Sequence, residues 1–149
     1  MDQVFLDIFK NKIFMVTLMA WIIAQTTKVT LGVIREKRFD FRWFVGTGGM
    51  PSSHAAGASC LATSIGIEYG FDSVFFALAA AFAIVVMFDA QGVRRASGRQ
   101  ARLLNKMLED IYWQGKIQET RLRELIGHTP LEVIGGFLLG ITIAIFAFK

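Results

Sequence analysis

Three long segments of this chain are almost free of charge, and they restrict the folds that it can adopt. Residues 73–88 and 133–148 contain no charged residue. Residues 13–34 are apolar apart from Gln25, Lys28 and several threonines. A membrane-spanning helix needs about 20 such residues, or somewhat fewer where the bilayer is thin. Since 54% of the 149 residues are hydrophobic and the mean hydropathy is +0.48, we predict an integral membrane protein.

A fourth segment, residues 52–71, is less apolar and rich in Ala, Gly and Ser. Small residues let helices approach closely in lipid, so we interpret this segment as a helix buried among the three spans. Residues 97–115 carry apolar side chains at helical spacing, which indicates an amphipathic helix on the membrane surface or over the site. The predicted fold class is an all-α membrane bundle of about four spanning or buried helices plus this surface helix. No linker divides the chain, so we expect one domain over residues 1–149.

Basic residues are distributed unevenly along the predicted bundle. Four helices place both chain ends on one side, with a short interfacial helix at residues 1–12, and place residues 35–50 and 92–128 on the other side. The second side carries 12 Lys and Arg, and the positive-inside rule makes it cytoplasmic, most simply in a bacterial plasma membrane. Arginines that bind a phosphate would produce the same asymmetry in either orientation. Basic loops beside apolar helices indicate anionic lipid as the partner rather than nucleic acid.

The chain has two histidines, and each lies where an apolar helix is expected to begin. His54 follows a turn at Gly49 and the run Pro51, Ser52 and Ser53, and we expect the proline at the first helical position. Free N–H groups at a helix start attract anions, and histidine suits proton transfer or nucleophilic attack. One interpretation is a phosphate site at this turn. The other is that the serines only cap a helix.

The second histidine, His128, precedes Thr129, Pro130 and Glu132, whose spacing is that of a capping box with proline at the first helical position. Capping accounts for Glu132 but does not require a histidine before it. We interpret His128 as the second functional histidine, with an exposed loop histidine as the alternative.

One face of the first span carries Gln25, Lys28, Gly32 and Arg35, because these residues are three or four positions apart. An ammonium group inside a spanning helix is costly, so Lys28 is a candidate for function. The alternative is that its side chain extends to the membrane interface.

The end of the third span carries Asp89, followed by Arg94 and Arg95. Paired arginines can bind a phosphate bidentately, and Asp89 would orient them. The alternative is a positive membrane flank paired with Asp89. No second carboxylate or histidine lies at ligand spacing from Asp89, so we expect no metal and no cofactor.

Three stretches together resemble a known family, the divergent bacterial and plant branch of the type 2 phosphatidic acid phosphatase and vanadium haloperoxidase superfamily. They are GGMPSSHAA, DAQGVRRASGRQARLLN and ELIGHTPLEVIGG. Lys28 to Arg35 matches the first motif of that superfamily, with Glu36 in place of a proline. Pro51 to His54 matches the second.

The third motif of the superfamily is matched less closely. Its histidine would be His128, but Glu132 replaces an aspartate and Leu122 stands where an arginine is expected. The resemblance therefore makes Arg94 or Arg95 a substitute for the missing charge.

The resemblance implies a metal-independent membrane phosphatase for a lipid phosphate or for a polyprenyl phosphate or diphosphate. It makes His128 the nucleophile, His54 the proton donor to the leaving group and Glu132 the residue that orients the nucleophile. The phosphate-binding residues would be Lys28, Ser52, Ser53, Arg94 and Arg95. A catalytically silent lipid-phosphate binder or transporter is the alternative, and a small membrane kinase is disfavoured because no glycine-rich nucleotide loop is evident. The superfamily core has about six helices, so a homodimer could complete it, with Gly136 and Gly140 as one possible packing face.

Overall fold

The computed structural model describes residues 2–39, 41, 43, 49–92, 100–105, 107–108 and 127–149. Its helices are α1 (Asp2–Lys10), α2 (Lys12–Glu36), α3 (Ser53–Tyr69), α4 (Val74–Gln91) and α5 (Pro130–Ala147). Residues 100–105 and 107–108 are also helical, and the rest of the predicted surface helix lies outside the described residues. The described part of the chain contains no strand, which confirms the all-α membrane bundle.

Three of these helices, α2, α4 and α5, are long and apolar enough to cross a membrane. They coincide with the three uncharged segments of the sequence. Side-chain caps set where they begin: Asn11 accepts the N–H of Phe14 at the start of α2, and Ser73 accepts the N–H of Phe76 at the start of α4. Each cap provides an acceptor for an N–H group that has none inside the helix.

Helix α3 occupies the centre of the bundle, as its small residues predicted. It packs against α2, α4 and α5, and ten of its residues are buried, almost all of them Ala, Gly, Ser or Cys. Larger side chains on this helix would hold its neighbours further away. The core of the bundle is therefore built by close backbone approach rather than by large apolar side chains.

The closest approach in the bundle is between α3 and α5, at two glycines of α5. A methyl group at Gly136 would overlap the carbonyl oxygen of Ser52, and one at Gly140 would overlap the carbonyl oxygen of Ala56. Beside them, the Ser59 hydroxyl donates to the Phe137 carbonyl at 3.1 Å. The glycine face that was expected to pack against a second copy is thus covered by α3 of the same chain, because the small residues of α3 fit it.

The helix ends meet in two groups. At one end of the bundle, the Lys12 ammonium lies 4.1 Å from the centre of the Phe148 ring. At the other end, the Ser52 N–H donates to the Glu132 carbonyl at 2.9 Å, and the His128 N–H donates to the Ala90 carbonyl at 3.0 Å. These two bonds join the starts of α3 and α5 to the end of α4.

We expect Gly140→Ala to lower the stability of the bundle, because the added methyl must displace the backbone of α3. Overpacking of this kind typically costs ~1 to 3 kcal/mol, which outweighs the gain in helix propensity of at most ~1 kcal/mol. Gly135→Ala is the matched control, since its methyl would meet only the end of the flexible Met50 side chain, at 3.0 Å. The thermal unfolding midpoint in detergent is measured for both variants. Equal midpoints for the two variants would contradict the packing role of Gly140.

Candidate functional site

The two histidines meet at the end of the bundle where α3 and α5 begin. His54 is the second residue of α3, and His128 lies just before the N-cap of α5. Their ring centres are 6.1 Å apart, and the ring planes are inclined by 61°. A phosphate group can lie within hydrogen-bond distance of both rings across such a gap.

His128 is buried and is held at its backbone N–H and at its ring. Its side chain is buried, with 1% of the residue exposed, and its backbone N–H is bound by the Ala90 carbonyl. Its ring Nδ1 lies 3.1 Å from Oε2 of Glu132. When the imidazole is neutral and the carboxylate is ionised, this contact places the ring proton on Nδ1, because an ionised carboxylate only accepts hydrogen bonds. Nε2 then carries the lone pair, as a nucleophile or base requires.

Glu132 serves the helix cap and the histidine with the same oxygen. Its Oε2 accepts the Thr129 N–H at 3.0 Å as well as contacting His128, and its own N–H donates to the Thr129 hydroxyl at 3.4 Å. The capping box predicted from the sequence is therefore present. Capping and contact with His128 do not exclude each other, because the cap holds the carboxylate where the imidazole reaches it.

Lys28 is buried at the same end of the bundle, with 8% of the residue exposed. The carboxylate of Glu132 attracts its ammonium group. The stem of the lysine runs beneath Gly49, where a methyl group would lie 3.0 Å from Lys28 Cγ. Gly49 also has a φ of +89°, so both its backbone conformation and its contact require glycine. The lysine is thus directed toward the site rather than extended along the helix surface.

Gln25 and Gly32, one turn on either side of Lys28, contact Trp43. The Gln25 amide donates to the Trp43 carbonyl at 3.1 Å, and the Trp43 ring packs against Gly32, where a methyl would lie 3.1 Å from it. Gln25 therefore positions Trp43. The contact with Trp43 was not predicted from the sequence. The signal that pointed to it was Gly32, which leaves room for a large side chain on the same face of α2 as Gln25 and Lys28.

The start of α3 differs in detail from the expectation. The helix begins at Ser53 and is capped by Ser52, whose hydroxyl accepts the Ala55 N–H at 3.3 Å. Pro51 therefore precedes the cap, so its predicted place at the first helical position was wrong. The Ser52 N–H donates to the Glu132 carbonyl, so this donor is already used within the protein. The N–H groups of Ser53 and His54, at the first two helical positions, have no acceptor inside the helix.

The remaining predicted residues lie around this centre or outside the described ranges. Asp89 is half-buried and directly precedes Ala90, whereas Arg35 is exposed in the last turn of α2. Arg94 and Arg95 lie outside the described residues. In the described ranges, no group of three or more His, Cys, Asp or Glu side chains is placed to hold a metal ion.

Comparison with known proteins identifies the family of this chain. Residues 9–143 match the profile of a family described as the Divergent PAP2 family. The uncharacterized membrane protein YuiD of Bacillus subtilis (strain 168) is 38% identical over 151 residues, which cover 94% of this chain and 96% of YuiD. No solved structure matches the chain. The resemblance found in the motifs is thereby confirmed, and this protein belongs to the Divergent PAP2 family.

Proposed function

We propose that this membrane protein is a phosphatase that hydrolyses a lipid phosphate, or a polyprenyl phosphate or diphosphate, through a phosphohistidine at His128. The observation that carries the proposal is the arrangement of His128, oriented by Glu132, opposite the ring of His54. Membership of the family supports the reaction class. The side-chain chemistry of His128, His54 and Glu132 supports their roles as nucleophile, proton donor and orienting carboxylate.

The first step of the proposed reaction is attack by Nε2 of His128 on phosphorus. The N–P bond forms while the bond from phosphorus to the lipid oxygen breaks, and His54 gives that oxygen its proton. Positive charge grows on the His128 imidazole during this step, and the Glu132 carboxylate beside Nδ1 stabilises it. The product is a lipid alcohol, or a lipid monophosphate when the substrate is a diphosphate.

The second step is hydrolysis of the phosphohistidine. His54, now neutral, takes a proton from water as the water oxygen attacks phosphorus, and the N–P bond breaks. Phosphate leaves, and His128 and the protonated His54 are restored. His54 thus gives one proton to the leaving oxygen and regains one from water, and the cycle needs no oxidant, metal or cofactor.

Such a site must mainly stabilise the negative charge on the phosphoryl oxygens in the transition state. Lys28 supplies a buried ammonium group, and the N–H groups of Ser53 and His54 supply donors at the start of α3. Arg94 and Arg95 keep the phosphate-binding role expected for them. Ser52 acts indirectly, because it caps α3 and binds the backbone of Glu132.

The replacement of aspartate by glutamate in the third motif is compatible with activity. Glu132 reaches both Nδ1 of His128 and the Thr129 N–H with one oxygen. This contact favours the phosphatase over the silent binder or transporter, for which no orienting carboxylate is needed.

The direct test is phosphate release by the purified protein in detergent with excess chelator, from phosphatidic acid, phosphatidylglycerophosphate and polyprenyl phosphates and diphosphates. We expect release that vanadate blocks, that His128→Ala abolishes and that His54→Ala slows by ~100- to 10,000-fold. Release that requires added magnesium would contradict the histidine mechanism. Binding of these lipids without release from any of them would favour the binder or transporter.

Substitution of Glu132 separates orientation of the histidine from helix capping. We expect Glu132→Gln to lower kcat by ~100-fold or more, because the amide keeps the size of the side chain but cannot stabilise the imidazolium. Thr129→Ala is the control, since it removes only the hydroxyl from the cap, at a cost of about 1 kcal/mol in stability. Its kcat should stay near that of the parent protein. If both variants lose activity and stability in the same proportion, Glu132 is only a cap.

Removal of the Lys28 charge tests its electrostatic role. Lys28→Met keeps the apolar stem against Gly49 and removes the ammonium group, so we expect kcat/KM to fall by ~100- to 1,000-fold while the unfolding midpoint changes little. Lys12→Met is the matched control, since Lys12 lies on the same helix at the opposite end of the bundle, beside Phe148. Unchanged kinetics in Lys28→Met would show that the lysine serves only the packing of the loop.

A further inference from the structure

Helices α4 and α5 both pack against α3 but make few contacts with each other. An apolar groove lies between them, formed by two cavities of about 890 and 320 Å³. Ile84, Met87 and Phe137 line both cavities, so the two are parts of one continuous groove. Its lining is almost entirely hydrocarbon.

The groove runs from the end of the bundle that carries the candidate site toward the opposite end. At that first end its lining includes Gln91 and Val133, which neighbour residues of the site in the chain. Gln91 follows Ala90, whose carbonyl binds the His128 N–H, and Val133 follows Glu132. At the far end it is lined by Phe148. Val133 and Phe148 are 15 residues apart, which corresponds to about 22 Å along a helix. This length is most of the hydrocarbon thickness of a bilayer.

A groove in this position is filled by hydrocarbon in a membrane, and its lining does not select which hydrocarbon enters. Lipid tails are as apolar as leucine side chains, so a chain gains little by moving from the bilayer into the groove. Selection must come from the polar end of the molecule. The buried Lys28 ammonium and the two histidines at the site end favour an anionic phosphate head group.

We propose that the α4–α5 groove holds one hydrocarbon chain of the lipid phosphate whose phosphate group binds between His54 and His128. This inference rests on the proposed function and adds the path of the substrate. A lipid reaches the site sideways from the bilayer, with its chain sliding between α4 and α5 while its head group stays at the membrane surface. The chain then holds the phosphate in place for attack by His128.

Photocrosslinking tests the occupant directly. The probe is phosphatidic acid with a diazirine in one acyl chain, present in trace amounts in phosphatidylcholine nanodiscs that contain the full chain. We expect label on Ile84, Met87 and Phe137, and loss of that label when unlabelled phosphatidic acid is added. Equal labelling by a phosphatidylcholine diazirine probe would overturn the proposal, because any bilayer lipid would then fill the groove.

Two pairs of neighbouring residues on α4 give matched variants. Ala80 lines the groove and Ala81 does not, so Ala80→Phe fills the groove while Ala81→Phe adds the same bulk beside it. Ile84→Trp and Val85→Trp form a second pair, which keeps the test usable if Ala80→Phe does not fold. We expect the groove-filling member of each folded pair to lose most of the phosphatidic acid label and the other member to keep it. Equal label within both pairs would overturn the proposal.

A water-soluble substrate separates this inference from the proposed function. Para-nitrophenyl phosphate has no chain to place, so the groove-filling variants should raise KM for phosphatidic acid by a larger factor than KM for para-nitrophenyl phosphate. Loss of both activities in a folded groove-filling variant would contradict a role for the groove in chain binding. Specific labelling of the groove in a protein that hydrolyses neither substrate would refute the phosphatase and retain the lipid-phosphate site.

Discussion

The carboxylate and backbone of Glu132 connect the starts of α3 and α5 with Lys28 of α2. The backbone carbonyl accepts the Ser52 N–H, and Oε2 contacts both the Thr129 N–H and Nδ1 of His128. The same carboxylate attracts the buried Lys28 ammonium. In a membrane each of these polar groups needs a partner within the protein, because lipid supplies none. One residue therefore determines the start of α5, the orientation of His128 and its distance from α3.

This network depends on how closely α3 and α5 approach. Backbone groups of the two helices lie next to each other only because α5 presents glycine at positions 136 and 140 and α3 presents small residues. A wider spacing would break the bond from Ser52 to Glu132 and move His54 away from His128. Packing of small residues deep in the bundle thus sets the geometry of the polar end, where the proposed chemistry takes place.

The same packing leaves the groove between α4 and α5. Both helices are drawn onto α3, which is narrow, and so they do not close on each other. The Ala-rich contact between α3 and α4, centred on Ala58, Ala62, Ala79 and Ala83, keeps α4 in this position. A bundle built around a helix of small residues can therefore combine a closely packed polar end with an open apolar side, which suits the proposed substrate, half phosphate and half hydrocarbon.

Much of the helical structure and the local part of the site could be predicted from the sequence. Segments of spanning length with almost no charge favour helices in lipid because every backbone group needs a hydrogen bond, and a capping box brings Thr129 and Glu132 together in any fold that keeps the helix. The partners of Gly136 and Gly140, the bond from Gln25 to Trp43 and the use of the Ser52 N–H follow from the tertiary structure alone. These contacts join residues that are distant in the chain, and they depend on which helix faces meet, which helical periodicity does not encode.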